Sequence, residues 1–168
     1  MILRPSVHGP DLNFMIQEEK MARDVYTAFA DKYGIRIFAN IAKSEQKHMD
    51  AVAALLESVD QANPVEGLKP GEFKNPDVLT LYKKLIGAGN KSLLDALKAG
   101  ATIEDKDIFD LNAMIKAGAE GQVLTTLSAL RSASGNHLRA FYGQIKSRGG
   151  DYEPQFLTET EFRKIVGN

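Results

Sequence analysis

The chain contains no cysteine among its 168 residues. That excludes disulfides, thiolate nucleophiles, iron–sulfur clusters and zinc ribbons. Any metal held here must be held by carboxylate and imidazole. A charge excess is missing too. The net charge is -1 and the isoelectric point about 6.3, so nothing points to nucleic acid or to an anionic membrane surface. No apolar run approaches the ~20 residues of a membrane-spanning helix. The opening segment MILRPSVHGP lacks the basic-then-apolar layout of an export signal. The cytoplasm is therefore the default location, with a removed export signal left open. Val, Ile and Thr never alternate with polar residues over a useful length, so strands are not expected. Tandem repeats, low-complexity tracts and domain boundaries are absent, and the length suits one domain over residues 1–168.

What is present is helical periodicity. A first helix is predicted from about Asp11, its cap, to Tyr33, with Gly34 ending it. A second runs from about Ile35 to Val59. The loop NPVEGLKPGEFKNP follows and ends in Asn75-Pro76, an N-cap with proline at the first helical position. The short helix PDVLTLYKKLI comes next. Long helices then run from about Asn90 to Lys116 and from about Glu120 to Ser147, closed near Gly118 and at Gly149-Gly150. Thr158 and Glu161 form the pattern of a capping box for a last short helix, TETEFRKIV. The expected fold class is all-α: a four-helix bundle over about 11–148 with one crossover connection, an extra short helix in that crossover, and a tail, 149–168, with a short helix.

Bundle helices bury residues spaced alternately three and four apart. Here each such stripe is apolar at both ends and polar in the middle. The first long helix reads Leu12, Met15, Glu19, Ala22, Tyr26, Phe29; the second Ile41, Glu45, His48, Val52, Leu55. The third reads Leu97, Gly100, Glu104, Asp107, Leu111; the fourth Leu127, Leu130, Ser134, His137, Phe141.

An unpaired buried carboxylate costs several kcal/mol or takes up a proton. Converging carboxylates also repel one another. Divalent cations remove both problems. Glu19, Glu45, Glu104 and Asp107 carry the charge to balance two such ions, and His48 and His137 supply one neutral nitrogen for each. That donor set suits iron or manganese, with zinc able to occupy the site in a purified sample. An acid three residues before a histidine is a weak signal alone. The force lies in polar breaks at matching depth on all four long helices.

Each residue also has a plainer reading. Glu45 and His48 could form a helix-surface pair, and His137 a satisfied core histidine. Glu18 competes with Glu19, because a neighbouring stripe through Phe14, Met21 and Val25 is also apolar. Asp107 could bond a lysine or His137 instead of a metal. Tyr26 reads as a core residue with a bonded hydroxyl rather than a redox participant. Asp105, Asp107 and Asp110 suggest a calcium loop only loosely, since its glycine and terminal glutamate are missing. Arg131 and Arg139 are candidates to support the carboxylates or to lie in solvent. His8 falls in an N-terminal tail and is given no role.

These residues resemble the ferritin-like di-iron carboxylate superfamily, in which Glu residues and Glu-x-x-His pairs converge from bundle helices. Glu45 and His48 look like one such pair. Glu19 with Ala22 and Tyr26 resembles the first-helix pattern of ferritins and rubrerythrins. Glu104 and Asp107 resemble the rubrerythrin third helix, and His137 the fourth-helix histidine. Ser134 is the departure, since the pattern expects glutamate there; Asp107 is the candidate to compensate. EEKMARDVY, ANIAKSEQKHMDAV, GATIEDKDIFDL, SGNHLRAF and GGDYEPQF resemble the signature segments of an uncharacterised prokaryotic branch, domain of unknown function 2202.

The resemblance implies a metal-binding protein with two irons, or manganese, at Glu19, Glu45, His48, Glu104, Asp107 and His137. It implies an oxidoreductase acting on dioxygen or peroxide. A peroxidase would need an external electron donor, because the cysteine-ligated domain of full rubrerythrins is lacking. Two alternatives stand beside it: a ferroxidase or metal-storage protein, and a structural or binding bundle whose metal site has degenerated. A homodimer or larger homo-oligomer fits any of them.

Overall fold

A computed structural model describes residues 10–167. His8 lies outside the described residues. The described chain is all-helical, with six helices and no strand: α1 Leu12–Tyr33, α2 Arg36–Ser58, α3 Pro76–Gly89, α4 Leu93–Lys116, α5 Gly121–Ser147 and α6 Glu159–Val166.

The caps sit where local chemistry puts them. The Asp11 carboxylate accepts from the Phe14 N–H at 2.9 Å, and Gly34 closes α1 in the left-handed region at φ 67°. Asn75 accepts from the Asp77 N–H at 2.9 Å with Pro76 beside it. Thr158 and Glu161 complete a reciprocal capping box at 3.1 and 2.8 Å. One start differs from expectation. Asn90 ends α3 rather than opening α4, and Ser92 caps α4 by accepting from the Asp95 N–H at 3.0 Å.

Contacts fix the directions of the long helices. Along α1, Glu18 meets Lys106 while Tyr26 bonds the Gly100 carbonyl, so α1 and α4 are antiparallel. Phe38 packs on Phe141 while Glu45 meets His137, so α2 and α5 are antiparallel. Glu19 meets His48 while Tyr26 stacks on Phe38, which sets α1 against α2 in the same sense. It follows that α2 and α4 run the same way. The connection between them must travel the length of the bundle, and it carries α3.

The interior falls into two apolar clusters. One gathers Phe29, Phe38, Leu97 and Phe141; the other gathers Met15, Val52, Leu111 and Leu127. The polar midline predicted from the interrupted stripes lies between them. Close packing at the aromatic end depends on Gly100, where an added Cβ would come within 2.6 Å of the Phe141 ring.

α1 is buried almost all round. Its outward side lies under the connection to α3. Lys20, 1% exposed, donates to the carbonyls of Lys69 and Glu72 at 2.7 and 3.0 Å and pairs with Asp24 at 2.6 Å. Asp24 accepts from the Gly71 N–H at 3.0 Å, and Gln17 accepts from the N–H groups of Lys74 and Asn75. These polar groups satisfy a loop backbone that would otherwise be buried without partners.

Candidate metal centre

Each long helix sends its polar midline residues inward. α1 supplies Glu19, α2 supplies Glu45 and His48, α4 supplies Glu104 and Asp107, and α5 supplies Ser134 and His137. All are buried. The i, i+3 spacing of Glu45 and His48 puts both on one face of α2.

Glu45 stands at the middle of the site. His48 Nδ1 lies 3.0 Å from Glu45 Oε2 and 3.1 Å from Glu19 Oε2. On the other side, His137 Nδ1 lies 3.0 Å from Glu45 Oε1 and 3.3 Å from Glu104 Oε1. The result is two three-residue groups that share one carboxylate: Glu19, Glu45 and His48, and Glu45, Glu104 and His137. Each could hold a metal ion, its donor atoms lying within 4.8 Å of one another. The two imidazoles stack with ring centroids 5.8 Å apart.

Whether a metal suits these residues can be judged from the hydrogen bonds they leave unmade. Among the described residues, His137 Nδ1 and Glu45 Oε1 are buried without a hydrogen-bond partner, although they are 3.0 Å apart. The distance is right and the alignment is not. Glu19 Oε1 and Asp107 Oδ1 are also buried and unpartnered. Unmet acceptors of this number are rare in a packed interior. They fit a shared cation.

Charge leads to the same place. Burial, and next the Glu45 charge, holds the Glu19 carboxyl up at about 8. Burial and then Glu19, Glu104 and Glu45 push Asp107 well above the usual carboxylate range. Burial works to lower His48, but the bonds and charges of Glu19 and Glu45 outweigh it and bring it to about 11. Burial is likewise outweighed at His137, where Glu104 and Glu45 bring it to about 10. For Glu45, burial and Glu104 act upward, and the nearness of Glu19, His137 and His48 holds it below its ordinary value. Among the described residues no lysine or arginine pairs with Glu19, Glu45, Glu104 or Asp107. The cluster keeps protons near neutral pH because it has no other cations, and a metal would displace them.

The other candidates are sorted by geometry. Glu18, though buried, turns to Lys106 at 3.2 Å and stands outside both groups, so Glu19 is the α1 residue that belongs to them. Asp107 reaches the centre's edge; the Ser134 hydroxyl donates to its Oδ2, and its Oδ1 is free. The Tyr26 hydroxyl donates to Glu104 at 2.8 Å, the bonded core role expected of it. Arg131 and Arg139 bond Asn112 and the Ile165 carbonyl and touch none of the carboxylates.

Asp105 has a role that the sequence reading missed. It is fully buried and accepts from the Tyr152 hydroxyl at 2.8 Å and from the N–H groups of Gln155, Phe156 and Leu157 at 2.6, 3.3 and 2.8 Å. It anchors the tail. Its position beside Glu104, off the bundle stripe, was the available signal.

Comparison with known proteins agrees with the fold. The chain is 44% identical over 154 residues to uncharacterized protein MJ0754 of Methanocaldococcus jannaschii, covering 92% of this chain and 83% of that protein. A crystal structure titled as hypothetical protein MJ0754 from Methanococcus jannaschii superposes with a TM-score of 0.91, at 44% identity, over 94% of this chain and 90% of that one. Residues 10–168 match the family model described as uncharacterized protein domain DUF2202, and the chain belongs to that family.

Proposed function

We propose that this chain is a ferritin-like, metal-dependent oxidoreductase acting on dioxygen or peroxide, with two iron or manganese ions in the bundle core. The observation that carries the reading is Glu45. Its two oxygens face two different histidines, each completed by a different acid. A shared carboxylate between two equivalent donor groups is what a dinuclear centre requires.

A metal pair held there would supply the change of valence that reduction of the oxidant needs. The chain's own residues do the rest. Glu45 would be shared by the two groups, His48 and His137 would each offer one nitrogen, and Glu19 and Glu104 would complete the groups. Tyr26 fixes the Glu104 carboxylate. Asp107, bonded by Ser134, would take the part of the glutamate that Ser134 replaces. The apolar clusters above and below exclude water and hold the donors at fixed spacing. The two histidines are the least buried donors, at 8% and 9% exposure, so the centre comes nearest to solvent at α2 and α5.

The test is turnover. Protein loaded anaerobically with ferrous iron should consume peroxide or dioxygen in the presence of a reductant, and Glu45→Ala should not. Consumption no faster than that of free ferrous iron would refute the proposal.

One observation favours a second reading, a bundle that has lost its metal. Ser134 replaces the expected acid and its hydroxyl occupies Asp107. Protons and hydrogen bonds would then satisfy the midline. In that case added iron or manganese leaves the melting temperature unchanged.

A further inference from the structure

We infer that the chain carries a separate binding site for a small oxyanion, a phosphate or carboxylate compound, in the groove between α4, α5 and α6. The groove encloses about 470 Å³. It is remote in chemistry from the buried centre: its charged side chains are Arg131, Arg139, Lys164 and Glu161, three cations against one acid. That balance stands out in a chain of net charge -1.

The cations are held without being neutralised. Arg131 Nη1 donates to the Asn112 side-chain oxygen at 3.0 Å, and Arg139 Nη1 to the Ile165 carbonyl at 3.0 Å. Arg139 also donates to the Asn136 side-chain oxygen. All these acceptors are neutral. Among the described residues no carboxylate pairs with Arg131, Arg139 or Lys164. Glu161, the one acid present, is committed to the Thr158 N–H in the capping box. Two guanidinium groups oriented by neutral partners keep their charge and remaining N–H groups for a ligand, and the planar fork matches a carboxylate or phosphate.

The floor of the groove is kept open by Gly135. A Cβ there would make only ordinary contacts, 3.8 Å to Ile165 and 3.9 Å to Arg139. Neither strain nor crowding requires glycine at this helical position, where it costs helix stability. Room for a ligand gives it a reason.

The inference does not depend on the metal reading, and its test uses no metal. Inorganic phosphate and succinate are titrated separately into the full chain at ~0.1 M sodium chloride, an ionic strength that screens diffuse charge. Backbone amide shifts and calorimetry are followed. The expected result is saturable binding of one of the two, with shifts confined to residues around 131–139 and 161–165. Which probe saturates separates the phosphate from the carboxylate source. An Arg131→Gln, Lys164→Gln double variant, on side chains outside the core, should weaken binding at least tenfold at an unchanged melting temperature. Gly135→Met keeps every charge and should weaken it similarly, as a diffuse positive field would not. Saturation by neither probe overturns the inference, and so does binding that survives either variant.

Discussion

Glu45 Oε1 and His137 Nδ1 lie 3.0 Å apart in the core and make no hydrogen bond, while the other oxygen of Glu45 meets His48 Nδ1 at the same distance. One carboxylate thus serves two imidazoles from opposite sides. Removing it should do more than removing either partner. His48→Ala and His137→Ala are each expected to cost about one metal ion per chain, and Glu45→Ala about two. Metal content of the three variants checks this.

The protonation of the site predicts opposite pH trends with and without metal. Glu19 titrates at about 8 in the folded protein against an ordinary 4.5, so the unfolded chain releases its proton more readily and stability falls as pH rises through that interval. His48 and His137, at about 11 and 10 against 6.5, stabilise fully below 6.5 and lose that contribution as pH rises toward their folded values. The metal-free protein should therefore melt progressively lower from pH 6.5 to 9. Metal must displace those same protons, so the rise in melting temperature on adding metal should grow over the same range. Thermal scans with and without manganese test both trends.

Among the described residues, Ser134 gives Asp107 its only donor. Ser134→Ala leaves a buried carboxylate with no hydrogen-bond partner and should destabilise the metal-free protein by about 1–3 kcal/mol. Denaturant unfolding of the metal-free variant measures it.

Asp105 holds the tail by four donors, and its carboxylate takes none of them from the centre. Asp105→Ala should cost about 3–5 kcal/mol, because four buried groups lose their acceptor together. Amides at 155–157 should exchange faster with solvent. Metal content, measured on the folded variant, should not change.

Much of this was legible in the sequence because it is local. Asp11, Gly34, Asn75-Pro76 and the Thr158–Glu161 box act on their own turns, and all four mark helix ends as read. The interrupted stripes were legible because side-chain direction along a helix follows from spacing alone. The choice between Asn90 and Ser92 was not, since both are good caps two residues apart and only backbone geometry decides. Long-range burial was also hidden. Gln17, Lys20 and Asp24 have the composition of a solvated face, and only the returning connection makes them interior. Glu18 and Glu19 were inseparable by pattern because α1 buries both; Lys106, some ninety residues away, separates them. At the centre, five of the six nominated residues fall into the two groups and Asp107 stands at their edge, but the Ser134–Asp107 bond depends on the register of two helices, which spacing within one helix does not report.

The most direct test of the central claim is elemental analysis of untagged protein, expressed in medium supplemented with iron and manganese. About two iron or manganese ions per chain are expected. No metal, and none regained on anaerobic reconstitution with ferrous iron, would contradict it.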